Sequence, residues 1–210
     1  MMPKKNVLKK SDIYAIVDAQ TCHRRNISSL LKNLIKNKVG IIQIRDKGSV
    51  WINTLKRARL AKKTIKNKAL LIINDYADIC ILSDCDGIHL GQEDMPIETA
   101  RKILGNDKII GISCHCLKQA ESAQRQGADY ISFGPIFKTP LKKERKAIGL
   151  KELGEIKRKI RIPFFIIGGI GIKEMKAMRP LRIKRIAVCR AVCESNNLKK
   201  EIKQLRNCLN

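Results

Sequence analysis

Residues 41–50 read IIQIRDKGSV, and their alternation decides how the chain folds. In an extended strand, alternate side chains point to one face. Ile41, Gln43, Arg45 and Lys47 then share one face, and Asp46 belongs to the other. The segment begins as a buried strand and ends in long polar and cationic side chains. An inward face that is apolar at entry and polar at exit is what a barrel strand needs when its far end meets a ligand.

Working outward, apolar runs of this length recur along the chain. Strands are expected near 13–18, 40–46, 69–75, 87–91, 109–114, 130–135, 164–168 and 184–189. Helical periodicity fills most of the gaps. Residues 27–38 carry Leu30, Leu31, Leu34 and Ile35 on one stripe, and residues 51–68 carry Trp51, Leu55, Ala58, Ala61 and Ile65 along one side. Pro96 near the start of one helix and Gly105 just past its end follow helix preferences, and Gly127 closes the helix over 117–127 in the same way. Strands alternating with helices imply parallel βα units. Eight such units close into a (β/α)8 TIM barrel, and 210 residues sit at the compact end for that fold. The rival is an open doubly wound sheet, but the glycine-rich phosphate loop that would favour it is missing after the first strand. The reading is a single domain over 1–210, with the barrel over about 12–193 and a C-terminal helix to 210.

Composition narrows the function. The formal charge is +25, from 44 Lys and Arg against 19 Asp and Glu. That balance raises nucleic-acid binding. The basic residues are dispersed, however, and four Phe, three Tyr and one Trp supply few platforms for base stacking. Solvated helix faces and small anionic ligands explain the charge better. The longest apolar run, 164–172, is too short to span a bilayer, and the N-terminal apolar stretch is too short for a signal peptide. A cytoplasmic protein is expected. SCHC (113–116) and CRAVC (189–193) lack a second ligand pair at zinc-finger spacing, so the eight cysteines read mostly as small buried hydrophobes.

In a barrel, catalytic residues lie where strands end and βα loops begin. Polar residues gather there: Gln43, Arg45 and Lys47; Asn74 and Asp75; Gln92 and Asp94; Ser113 and His115; Thr139; then Gly168 and Gly169. Two cations and two acids suit a Mg²⁺–diphosphate site. Mg²⁺ takes one or two carboxylates, with phosphate oxygens and water completing its shell. Arg and Lys neutralise what charge remains. A plain salt-bridge network is the bland alternative. The loop 133–143 (FGPIFKTPLKK) adds a threonine and lysines that can close over the site, and IIGGI (166–170) offers backbone N–H groups to a second anion.

The strings QIRDK, IINDYADI, DGIHLGQEDMP, GISCH, GADYISFGPIFKTP and IGGI, in order over about 13–192, resemble the thiamine-phosphate synthase family. The resemblance implies a TIM barrel that joins hydroxymethylpyrimidine diphosphate to thiazole monophosphate, with Mg²⁺ as cofactor. It implies that Gln43, Arg45 and Lys47 bind the pyrimidine diphosphate, that Asn74 contacts the pyrimidine, and that Asp75 and Asp94 hold Mg²⁺. It also implies that Ser113 binds diphosphate, that Thr139 and Lys142 belong to the T-P-T-K loop, and that Gly169 meets the thiazole phosphate. Two departures stand out. Leu141 replaces a threonine of that loop, and Arg190 takes a serine position after the last strand, from which it is expected to reach the thiazole phosphate. His115 suits proton transfer in a related thiazole tautomerase, or is simply a polar strand end. That tautomerase, which has no use for a full diphosphate set, is one alternative. A basic nucleic-acid-binding protein without catalysis is the other.

Overall fold

The computed structural model describes residues 3–23, 25–140 and 146–209. Eight strands run β1 Ile13–Asp18, β2 Ile41–Arg45, β3 Leu70–Asn74, β4 Gly87–Leu90, β5 Ile109–Cys114, β6 Tyr130–Phe133, β7 Phe164–Ile167 and β8 Ile186–Val188. They close in sequence order, all parallel, and β1 pairs with β8 (Tyr14 beside Ala187) to complete the ring. Among the described residues the helices are α1 Lys4–Lys10, α2 Ile27–Lys36, α3 Trp51–Ile65, α4 Ala77–Leu82, α5 Ile97–Leu104, α6 Leu117–Arg125, α7 Leu153–Lys159, α8 Ile172–Met178, α9 Arg190–Cys193 and α10 Leu198–Leu209. The expected TIM barrel is therefore observed. No described helix is long and apolar enough to cross a membrane.

Strand alternation builds two cores. One face of each strand packs outward on the helices: Ile42 and Ile44, Ile88 and Leu90, Ile131 and Phe133. The other face fills the barrel: Tyr14, Ile16, Ile41, Leu70, Ile72, Ile109, Tyr130 and Phe165. Burying each large apolar side chain contributes roughly 1.5–3 kcal/mol. Tyr14 and Phe165 meet edge to face at 5.4 Å, as do Tyr130 and Phe165 at 5.9 Å. Gly111 makes this packing possible, because a Cβ there would lie 2.0 Å from the Tyr130 ring.

The helix α1, which precedes the first strand, has no counterpart in the sequence reading. Its Leu8 is buried and joins the barrel core from below. The stripe of α2 is buried at Leu30, Leu31 and Leu34, and the side chain of its N-cap Asn26 accepts the Ser29 N–H at 2.9 Å. On α3 one position differs from expectation. Trp51 is an exposed residue on the first turn, where its indole N–H donates to Asp78 at 2.7 Å and ties α3 to α4. Five of the eight cysteines are buried.

Candidate active site

Along the barrel axis the inward face changes from apolar to polar, and it does so on neighbouring strands together. Tyr14 leads to Asp18, Ile41 to Gln43 and Arg45, Leu70 to Asn74, Ile109 to Ser113, and Tyr130 to Ser132. The parallel registers keep these ends level: Asp18 lies beside Arg45, Asn74 beside His89, and Ser113 beside Ser132. A cavity of about 560 Å³ opens above them, within the usual size of a ligand site. Arg45, Ser113, His115, Thr139, Gly169 and Arg190 all line it.

Gln43 lies a layer lower than the sequence alone suggests. It is 1% exposed and donates to the Tyr14 hydroxyl at 2.5 Å. That hydroxyl shares a hydrogen bond of 2.8 Å with Tyr130, whose hydroxyl meets His89 Nδ1 at 3.0 Å. On its other side, His89 Nε2 meets Ser113 Oγ at 3.0 Å and Ser132 Oγ at 3.2 Å. A buried polar chain thus forms the floor of the site and holds Ser113 in place. Burial pushes both tyrosine hydroxyls well above their ordinary value, so they remain neutral hydrogen-bonding groups. His89 was missed as a site residue. The signal was present, since alternation turns it inward between Ile88 and Leu90.

Arg45 donates to Asp18, which was also missed. Burial raises the Asp18 carboxyl, but the Thr21 backbone N–H, the Thr21 hydroxyl and Arg45 outweigh it and hold the group below its ordinary value. Lys47 reaches Asp75 at 3.2 Å. Asp75 sits at φ 66°, a left-handed conformation that Asp tolerates better than most residues. Burial and a hydrogen bond with Asp94 push its carboxyl up, against the pull of Lys47. Asp94 is in turn held by the Gly91 N–H at 2.6 Å. Two carboxylates pressed together at this cost are chemically suited to a divalent cation, so Asp75 and Asp94 fit a Mg²⁺ site that leaves most ligand positions to substrate and water. The Asn74 amide has no protein partner among the described residues and is available to a substrate.

Asp46 faces the helices. Its Oδ2 accepts from Thr54 at 3.0 Å and from Arg57. His115 is held at the rim by its backbone N–H to Gln119 (2.7 Å) and by its ring to the Gly134 carbonyl. Gly168 and Gly169 have φ 98° and 64°. A Cβ on Gly169 would meet the Lys138 carbonyl at 2.5 Å, so this turn needs glycine. Arg190 pairs with Glu194 on the cavity wall. Lys142 and Leu141 lie outside the described residues.

The chain is similar to known proteins over most of its length. A thiamine-phosphate synthase of Methanosarcina barkeri is 34% identical over 95% of this chain and 91% of its own. One from Clostridium novyi is 38% identical over 93% and 97%. The solved structure of thiamine phosphate pyrophosphorylase from Pyrococcus furiosus superposes with a TM-score of 0.85 at 29% identity, covering 98% of this chain and 96% of that one. The family model described as thiamine monophosphate synthase matches residues 13–192, and the chain belongs to that family.

Proposed function

We propose that this chain is a thiamine-phosphate synthase that joins hydroxymethylpyrimidine diphosphate to thiazole monophosphate and releases diphosphate. One observation carries the reading: Arg45 and Ser113 line one cavity with the Gly168–Gly169 turn, and at the neighbouring strand exits Lys47 reaches Asp75, which is hydrogen-bonded to Asp94. The relatives' names support it.

Arg45, Lys47 and Ser113 bind the diphosphate, and the two cations stabilise the charge that builds on it as it leaves. Asn74, the residue nearest Asp75 on β3, hydrogen-bonds the pyrimidine. Gln43 acts from below through its bond to Tyr14. Asp75 and Asp94 would hold Mg²⁺, which supplies further charge neutralisation at the diphosphate. The electron-rich aminopyrimidine carries the resulting cation, and the thiazole nitrogen captures it. Thr139 and Gly169 hold the thiazole phosphate, and the resemblance adds Lys142, which lies outside the described residues. No protein nucleophile is required. His115 is committed to a backbone carbonyl, so nothing favours the tautomerase alternative. The intact acid pair argues against a nucleic-acid surface.

The test is one assay with both substrates and Mg²⁺, scored for thiamine phosphate. The expected result is product that disappears when a chelator is added. No product from the unmodified protein overturns the proposal.

A further inference from the structure

At the thiazole end of the cavity, Arg190 and Glu194 both line the wall. Arg190 Nε donates to both Glu194 oxygens, at 3.1 and 3.0 Å. That contact uses one corner of the guanidinium. Among the described residues, Nη1 and Nη2 have no protein partner. A guanidinium is planar and carries five N–H donors in a fixed fork, so gripping Nε leaves the terminal fork aimed and unspent. Such a fork matches two oxygens of a phosphate.

The surroundings point to the same ligand. Gly169 and Ile170 also line this end, and among the described residues their backbone N–H groups have no protein partner. Glu174, a second acid on this wall, is committed to the Gly171 N–H at 3.1 Å. Glu201 also reaches the wall and disfavours an anion, which Arg190 offsets. A pair spaced i,i+4 on a helix is ordinarily surface decoration. Here α9 has four residues, so the pair has almost no helix to stabilise.

We infer that Glu194 is a positioning residue that presents Arg190 to the phosphate of the second substrate, and that the pair makes the site prefer phosphorylated over unphosphorylated thiazole. This rests on the synthase reading. It goes beyond it by assigning phosphate selectivity to Glu194, which by charge alone would repel the ligand.

The experiment titrates thiazole monophosphate and its unphosphorylated alcohol, by calorimetry, into the full chain and into Arg190→Ala, Glu194→Ala and Glu194→Gln. Turnover is measured alongside. Arg190→Ala is expected to weaken the phosphate ligand by about tenfold or more and to leave the alcohol unchanged. Glu194→Ala is expected to weaken the phosphate ligand a few-fold. Glu194→Gln restores it, because the amide oxygen still accepts from Nε. The KM for pyrimidine diphosphate stays within about twofold throughout. Equal losses for phosphate and alcohol in Arg190→Ala overturn the inference. So does unchanged or tighter phosphate binding in Glu194→Ala, which would mean that Glu194 merely competes with the ligand. An unmodified protein that binds the phosphate but forms no thiamine phosphate sinks the synthase reading and leaves this pair standing.

Discussion

The two ends of the pocket each carry an arginine on a carboxylate, and they differ in how the pair is built. Arg45 grips Asp18, a carboxylate 1% exposed that Thr21 also holds. Arg190 grips Glu194, and both side chains are about half exposed. Arg45 and Asp18 face each other across adjacent barrel strands, so the fold itself pays the cost of ordering them. Arg190 and Glu194 are four residues apart, at the first position and the C-cap of one short helix. The lesson is that a buried cross-strand pair is part of the structure, while an exposed local pair can be altered without harm to the fold.

The largest expected effects come from deepening the contrast at the diphosphate end. Asp75→Asn keeps a residue that tolerates φ 66° but removes a carboxylate. Turnover should fall about a hundredfold or more. Mg²⁺ should raise the melting temperature of the unmodified protein through preferential binding to the folded state, and should not raise that of Asp75→Asn. Equal Mg²⁺ responses in the two proteins would remove Asp75 from the cation site.

Next comes the arginine comparison itself. Arg45→Ala leaves a buried carboxylate without its cation and should cost about 1–3 kcal/mol in a denaturant titration. Arg190→Ala should change stability by less than about 0.5 kcal/mol. Similar losses for both would erase the distinction.

Asp46 offers a control from the opposite face of β2. Asp46→Asn weakens the bonds from Thr54 and Arg57 and should cost about 1–3 kcal/mol, while the KM for pyrimidine diphosphate stays within about twofold. A raised KM with unchanged stability would place Asp46 at the substrate.

The smallest effect is in pH. The folded Asp18 carboxyl lies below its ordinary value, so the unfolded chain takes up the proton first as pH falls. The stability that Asp18 contributes is complete above the ordinary aspartate range, at about pH 4, and is lost as pH falls through the lower folded value. The stability gap between the unmodified protein and Asp18→Asn should therefore be constant near neutrality and shrink in acid below that range. A gap that is flat to the lowest pH would contradict the assignment.

Much of the fold was legible because period-two alternation leaves a local record. The eight strands were each placed within one or two residues of their observed bounds. Helix ends were placed late on α2 and α3, where Lys38, Lys66 and Asn67 turn into left-handed backbone that composition does not announce. Trp51 was misplaced because a stripe of apolar residues cannot show that its first member lies beyond the covering neighbour. At the site, Arg45, Ser113, Thr139 and Gly169 were legible as polar groups or glycines at strand exits, and the structure gathers them around one cavity. Asp18 was not, because its partner Arg45 lies on another strand, nor was Glu194, because its contact with Arg190 depends on a choice of rotamer; His89 was turned inward by alternation and was overlooked.

By itself the sequence determined the barrel and the end at which its chemistry gathers. These follow from side-chain alternation and from residue types at strand exits, both local properties of the chain. Only the tertiary structure decided the rest: Gln43 buried against Tyr14, Asp75 forced against Asp94, and His89 joining Tyr130 to Ser113. Those outcomes depend on the register between strands, which sets side chains level with one another across the barrel, and register is a property of the closed sheet.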